Sequence, residues 1–399
     1  MAAHDDRRAY LDYNATAPLR SEARAATLAA LDRLGNPSSI HAEGRAARGL
    51  VEESRRAIAE LVGVPPRCVV FTSGGTEAAN LALTPAIVAP GRRAPERLIV
   101  AGGEHPCVLN GHRFPPEAVV VAPLAADGRV DLDALEALIA AEPGRPPMLA
   151  LQGANNETGV IQPVAEAAEM VREAGGATVC DGVQLAGRAG VALAGLGADF
   201  LLLSAHKCGG PKGAGALVAA DPDLAIGAPL LRGGGQERGQ RAGTENVAAI
   251  AGFGAAARVA EAERAAESAR LARLRDALAA EARRVAPDAV VFGEGAPRLC
   301  NTLCFAAPGV AAATLVIALD LAGVAVSAGS ACSSGKVTRS HVLDAMGVAP
   351  DLAAGAIRLS LGWASDEDDV ARFGEAFSAA MARLRTRRAD SIVRPPLSA

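Results

Sequence analysis

Lysine is scarce in this 399-residue chain, with three among 40 basic side chains, at positions 207, 212 and 336. Chemistry that needs an imine-forming amine has few places to keep it. Aromatic residues are also few, at 3%, and with arginine far outnumbering lysine this reads as a bias of base composition. The seven cysteines contain no CxxC pair, so neither a zinc site nor a disulfide framework is signalled. Free thiols in a reducing cytoplasm are the simplest reading. There is no basic excess: the net charge is −4 and the pI about 6.0, which removes the positive surface that nucleic-acid binding requires. No uncharged apolar run approaches the roughly 20 residues of a membrane span, and the opening MAAHDDRRAY lacks the apolar core of a signal peptide. Neither nucleic acid nor membrane is expected as a partner.

What is present is ordinary globular material, 50% apolar and 21% charged, in a chain too long for one compact core. Two domains are expected. Short apolar runs read as buried strands at Val69 to Phe71, Leu98 to Val100, Ala118 to Val121, Met148 to Leu151, Ala177 to Cys180, Asp199 to Leu203 and Gly215 to Val218. Helical stretches alternate with them. One starts at Ser21 as N-cap and runs towards Gly35, another covers Leu50 to Val62, and two more cover Asp131 to Ala141 and Pro163 to Ala174. The alternation predicts an α/β layer with a mainly parallel sheet. Near Gly252 the pattern changes to a long Ala-, Glu- and Arg-rich helix without a breaker. A strand-like NTLCF, a helix near Ala311 to Leu321 and a second α/β segment follow, so a domain boundary is expected near residue 255.

Lys207 ends an apolar run, in DFLLLSAHKCGGPKGAG. Strand ends are where α/β sheets build ligand sites, and a partly desolvated lysine there can form a Schiff base. From this segment alone, a surface lysine on a turn reads equally well; Lys212, between Pro211 and Gly213, is a turn residue. Four further features also follow buried runs. In Thr72-Ser73-Gly74-Gly75-Thr76-Glu77, backbone amides and the Thr76 hydroxyl at a helix start suit a phosphate, although the same residues make a simple cap. Asp181 ends a strand, where an acid is costly without a cationic partner such as a protonated pyridine nitrogen; a helix cap is the alternative. His105 can stack on a flat ring and move protons, or be structural. The amides of Asn155-Asn156-Glu157 can orient a cofactor or substrate, or close a turn. Their common placement after successive strands is what unites them.

Residues 326–335 read VSAGSACSSG, small residues without apolar periodicity. This pattern predicts an exposed loop, in which the Cys332 thiol can react while Lys336 and Arg339 favour its thiolate; an inert loop cysteine is the alternative. Cys180 and Cys304 lie in strand-like runs and Cys68 starts one, Cys107 and Cys300 have no supporting context, and Cys208 adjoins Lys207 without an evident role.

In this order and spacing, YLDYNATAPL, GNPSSIH, FTSGGTEAANLAL, GGEHPCVL, NNETG, DGVQ, SAHKCGGPKGAGAL, GGGQERGQRAGTENV, NTLCF, SAGSACSSG and IRLSLG span nearly the whole chain. Together they resemble the NifS/IscS-type cysteine desulfurases, class V aminotransferases of pyridoxal 5'-phosphate (PLP) fold type I. The resemblance implies a large PLP-binding domain over residues 15–255 with a mainly parallel seven-stranded sheet. It also implies a smaller α/β domain from 1–14 and 256–399 that carries the Cys332 loop. Lys207 would hold the cofactor covalently, Asp181 would pair with the pyridine nitrogen, Gln184 would bond the ring hydroxyl, and His105 would stack on the ring and help move protons. Gly75, Thr76, Ser204 and His206 would hold the phosphate. Thr244 would complete the phosphate site of a partner subunit, making the enzyme a homodimer. Asn156 would help position substrate and cofactor, and Arg358 would grip the substrate carboxylate, with Asn36 assisting.

The activity implied is removal of sulfur from L-cysteine, giving alanine and a persulfide on Cys332. That sulfur would pass to an iron–sulfur scaffold or another acceptor protein. SAGSACSSG resembles the group I subtype, and GTEN resembles the NifS-like branch. A departure is Cys208, where a larger apolar or aromatic residue is common. A selenocysteine lyase or another class V lyase is the alternative; against a non-enzymatic scaffold stand Lys207, Asp181, His105, Cys332 and Arg358, all retained.

Overall fold

The computed structural model describes residues 8–328 and 339–393, with side chains described as far as 384. The larger layer is a seven-stranded sheet. Its strands are β1 (Val69–Thr72), β2 (Arg97–Ala101), β3 (Val119–Ala122), β4 (Pro147–Gln152), β5 (Ala177–Asp181), β6 (Phe200–Ser204) and β7 (Gly215–Ala219). They lie in the order β1-β7-β6-β5-β4-β2-β3, parallel except for β7, which runs antiparallel to both neighbours. The apolar runs are continuous because helices cover both faces of the sheet: every residue of β2, β4, β6 and β7 is buried. Each strand falls within a residue or so of its sequence expectation.

The first helix differs from expectation. It spans Ser21–Leu31, with Arg20 in the cap position and no side-chain cap, because the Ser21 hydroxyl bonds its neighbour Glu22 instead. The second helix begins eight residues earlier than expected, at Ala42–Val62, where His41 Nδ1 accepts from the Gly44 amide.

The long helix is Val247–Val285, 39 residues, capped by Asn246 Oδ1 on Ala249 N–H. Its first half packs in the core of the large sheet through Ile250, Phe253 and Ala257. Its second half packs in another core through Leu271, Leu274 and Leu278. The second core belongs to a four-stranded sheet of β8 (Val290–Val291), β9 (Thr302–Ala306), β10 (Ser327–Ala328) and β11 (Ala356–Ser360), in the order β8-β9-β11-β10. Phe305 meets Phe377 edge-on at 5.6 Å between ring centroids, and Phe373 stacks on Phe377 at 5.4 Å. The start of the chain joins this layer: Ala9–Tyr10 pairs in parallel with Val324–Ala325, and Leu11 lies in the second core. Residues 12–16 then cross to the C-terminal end of the large sheet.

Candidate active site

Parallel strands deliver their following residues to one edge of the sheet, and five of them do so here around one cavity of about 290 Å³. After β1 come Gly75 and Thr76, after β2 His105 and Cys107, and at the end of β4 Gln152 with Asn156 beyond it. β5 ends in Asp181, with Gln184 following, and β6 ends in Ser204, with His206 and Lys207 following. Asn14 and Arg358 close the opposite side.

Two glycines make the close approaches. A Cβ on Gly215 of β7 would lie 2.6 Å from Gly74 Cα, so the glycine loop after β1 rests directly on β7. Gly209, with φ +91°, has no room for a Cβ, which would lie 2.7 Å from both Arg20 Cγ and the Trp363 ring. That turn brings the chain sharply round after Lys207.

Lys207 Nζ donates to the Asn14 carbonyl at 2.6 Å and the Ala15 carbonyl at 2.9 Å. Asp181 Oδ1 accepts from Val183 N–H at 2.9 Å. Burial raises the Asp181 carboxyl, opposed by that bond and by the charge of Lys207. Burial and the nearby Lys207 charge lower His105 to about 4, and burial with Lys207, Lys212 and Arg188 lowers His206 to about 4. Both imidazoles are neutral at neutral pH. His105 fills the structural role as well as the cavity, since Nδ1 accepts from Cys107 N–H at 3.1 Å and caps Pro106–Leu109. His206 Nδ1 lies 3.2 Å from Thr16 Oγ1.

Next to His105, Glu104 is fully buried. Its Oε1 accepts from Gln152 N–H at 2.6 Å, while Oε2 has no partner among the described residues. Burial, with Asp181 nearby, raises its carboxyl well above the ordinary 4.5, which favours the protonated form. Gln184 Nε2 donates to Asn14 O at 3.2 Å. Arg358, 2% exposed, donates through Nη1 to Asn156 O at 2.9 Å and pairs through Nη2 with Asp12 Oδ1 at 2.8 Å, leaving Nε buried with no partner among the described residues.

Two expected residues lie elsewhere. Asn36 is exposed and its Oδ1 closes a turn onto Ser38 N–H. Thr244 is also exposed and lines a separate hollow with Ser73 and Arg241. Cys332 and Lys336 lie outside the described residues. The chain resumes with Ser340 Oγ donating to the buried Glu157 at 2.6 Å, and His341 Nε2 lies 2.8 Å from Glu104 O.

Sequence reasoning missed Asn14, Gln152 and Cys107, all of which line the cavity. Asn14 stood inside YLDYNATAPL, but its side-chain links to Asn156 O, Thr302 Oγ1 and Asn301 join parts of the chain far apart in sequence. Cys107 gave no local signal; burial near Asp181 and Glu104 pushes its thiol far up, so it stays protonated.

The donor set fits pyridoxal phosphate: an amine, a buried acid acted on by the Lys207 charge, an amide, a neutral imidazole, and two hydroxyls with a second imidazole beside a glycine whose Cβ would press on Val183 at 3.1 Å. Among the described residues no cluster suits a metal ion, and no helix is long and apolar enough to cross a membrane.

Residues 9–373 match the family model described as aminotransferase class-V. The chain is 40% identical over 388 residues to a cysteine desulfurase from Cereibacter sphaeroides, covering 95% of this chain and 97% of that one. It is 38% identical over 384 residues to the cysteine desulfurase IscS of Dictyoglomus turgidum, covering 95% and 96%. Among solved structures, it is similar to a NifS-like protein from Rickettsia africae, with a TM-score of 0.85 and 32% identity over 94% of this chain and 100% of that one.

Proposed function

The chain belongs to the class-V aminotransferase family, among its cysteine desulfurases, and we propose that it takes sulfur from L-cysteine with pyridoxal phosphate held on Lys207, leaving alanine and a persulfide on Cys332. The observation that carries this reading is the convergence of Lys207, Asp181, His105, Gln184, Ser204 and His206 on one cavity from three strand ends.

When bound, pyridoxal phosphate supplies the electron sink that makes the substrate Cα–H acidic. Asp181 would hold a proton at the pyridine nitrogen, and that positive charge beside its buried carboxyl would favour the ionised form. Ser204, Thr76 and His206 hold the phosphate with Gly75; His206 is neutral there and donates through one ring nitrogen. Gln184 bonds the ring oxygen. His105, neutral at working pH, would lie against the ring and exchange protons without adding a charge. Arg358 offers its unpaired Nε to the substrate carboxylate, and Asn156 lies beside it. Lys207 Nζ, beside the Asn14 and Ala15 carbonyls, removes and returns the proton at Cα.

The thiolate of Cys332 attacks the substrate sulfur. A sulfur–sulfur bond forms, the carbon–sulfur bond breaks, and its electron pair stays with carbon, which takes a proton to become alanine. Sulfur is therefore transferred with no outside oxidant. The product persulfide serves an iron–sulfur scaffold or another acceptor in thio-cofactor synthesis. A homodimer in which Thr244 serves the neighbouring site accounts for its exposed position away from the cavity.

The test is mass spectrometry of Cys332 after incubation with L-cysteine, alongside alanine release from cysteine and from selenocysteine. One added sulfur on Cys332 and stoichiometric alanine are expected. Alanine production at the wild-type rate by Cys332→Ala would overturn the assignment.

A further inference from the structure

Arg188 is a buried cation that the chemistry above leaves unused. It is 8% exposed and lies in the connection between β5 and β6. Its Nη1 donates to Gln184 Oε1 at 2.5 Å and Gln184 O at 3.2 Å; its Nη2 donates to Lys207 O at 3.1 Å and Tyr13 O at 3.3 Å. All four acceptors are uncharged. Among the described residues no carboxylate pairs with it. Glu267 lines the hollow behind Lys207 together with Arg188, but its carboxylate is paired with Arg270 at 2.7 Å, and Glu263 is paired with Arg20 at 2.6 Å.

The other charged or titratable neighbours among the described residues are Lys207, Arg358, Arg20, His206, Tyr13, Cys208 and Cys300; burial lowers His206 and pushes Tyr13 and both thiols up, so none supplies a negative charge. Burial brings Arg188 itself down to about 10, still a cation at neutral pH. A buried charge without a counterion is costly, and its retention points to a use.

The use follows from hydrogen-bond inventory. Arginine has donors only, so the amide edge of Gln184 that faces it must be oxygen. That leaves Nε2 on the cavity side, where one N–H meets Asn14 O at 3.2 Å and the other is available to an acceptor in the cavity. The same guanidinium holds the Lys207 carbonyl. One fork thereby sets both the polarity of Gln184 and the backbone of the lysine.

We propose that Arg188 is a positioning residue: it makes Gln184 a donor to the ring oxygen of pyridoxal phosphate, braces Lys207 from behind, and leaves a positive charge unneutralised beside the cofactor. The inference rests on the reading that this cavity holds that cofactor.

The experiment compares Arg188→Met, Arg188→Lys, Gln184→Leu and the double variant Arg188→Met with Gln184→Leu, each reconstituted with pyridoxal phosphate. The readouts are the pH midpoint of the bound cofactor's visible absorbance, the cofactor dissociation constant, and kcat and KM for cysteine. Loss of a charge that opposes protonation should move the midpoint of Arg188→Met upward by roughly one unit. Cofactor affinity should fall about tenfold. KM for cysteine should stay within about twofold while kcat falls, because Arg188 does not touch the substrate. Arg188→Lys keeps the charge without the fork, so it should restore the midpoint but not the affinity. Adding Arg188→Met to Gln184→Leu should cost little further affinity.

A folded Arg188→Met with wild-type midpoint and affinity would overturn the proposal, as would fully additive losses in the double variant. If Arg188→Met does not fold, Arg188→Lys takes its place in the cycle, and additivity there overturns the proposal equally. A wild-type protein that takes up no pyridoxal phosphate would instead overturn the parent reading.

Discussion

The sheet side of the cavity presents its groups one strand end at a time, and burial drives them towards neutrality. His105 and His206 are lowered to about 4, while Glu104 and Asp181 are raised. The opposite side is built from residues 12–16 and β11, and there charges and amides are paired across layers. Arg358 bonds Asp12 and Asn156, and Asn14 ties Asn156, Asn301 and Thr302 together. The contrast is one of task. Apart from Lys207, the sheet side offers donors and acceptors that burial pushes towards their neutral forms, suited to a flat ring and its phosphate. The opposite side is a brace between the two sheets in which one guanidinium N–H finds no partner among the described residues and is open to an anion.

Four substitutions probe that contrast. Lys207→Ala, on the sheet side, should lower alanine release from cysteine by about 10³-fold or more, and borohydride should no longer fix the cofactor to the protein; a fixed cofactor would point to another amine. Arg358→Gln, on the opposite side, should raise KM for cysteine by roughly 10- to 100-fold, about 1.5–3 kcal/mol for a hydrogen bond to a charged group. Cofactor affinity should change little, and titration of cofactor uptake separates the two effects. A matching loss of cofactor affinity would erase the division between the sides.

Asn14→Ala removes the brace without touching the backbone carbonyl that Lys207 uses. It should lower stability by about 1–3 kcal/mol through the unpaired buried partners it leaves, read as a lower denaturant midpoint, with smaller losses in kcat. Glu104→Gln should have the smallest effect, visible in pH dependence. A carboxyl raised in the folded state contributes stability that is whole below its unfolded value near 4.5 and is lost as pH rises towards the folded value. The variant lacks this term, so its melting temperature relative to wild type should climb as pH rises above about 4.5. The histidines act oppositely. Lowered to about 4 in the fold, they take stability away as pH falls from 6.5 towards 4, and this should persist in Glu104→Gln.

Much of the sheet side was legible in the sequence. Each strand is an unbroken apolar run, because both faces of a parallel sheet are covered, and the residue after each run is at the edge where ligands bind. Lys207, Asp181 and His105 stood out for that reason. On the opposite side Arg358 drew notice through resemblance alone. It sits inside an apolar strand, and its partners Asp12 and Asn156 are hundreds of residues away in the chain. The first helix was misjudged at its cap because a serine followed by a glutamate can satisfy itself locally.

Composition and periodicity therefore established the alternating layer, the strand ends and the scarcity that singles out Lys207, since these depend on neighbours in sequence and on counting. Tertiary structure alone decided which residues stay neutral, which arginine has a carboxylate and which does not, and how Asn14 joins the two sheets. Those outcomes depend on burial and on partners brought together by folding, and no local pattern encodes the absence of a counterion beside Arg188. A chain with three lysines thus keeps an arginine behind one of them, held on four neutral acceptors that only folding brings together.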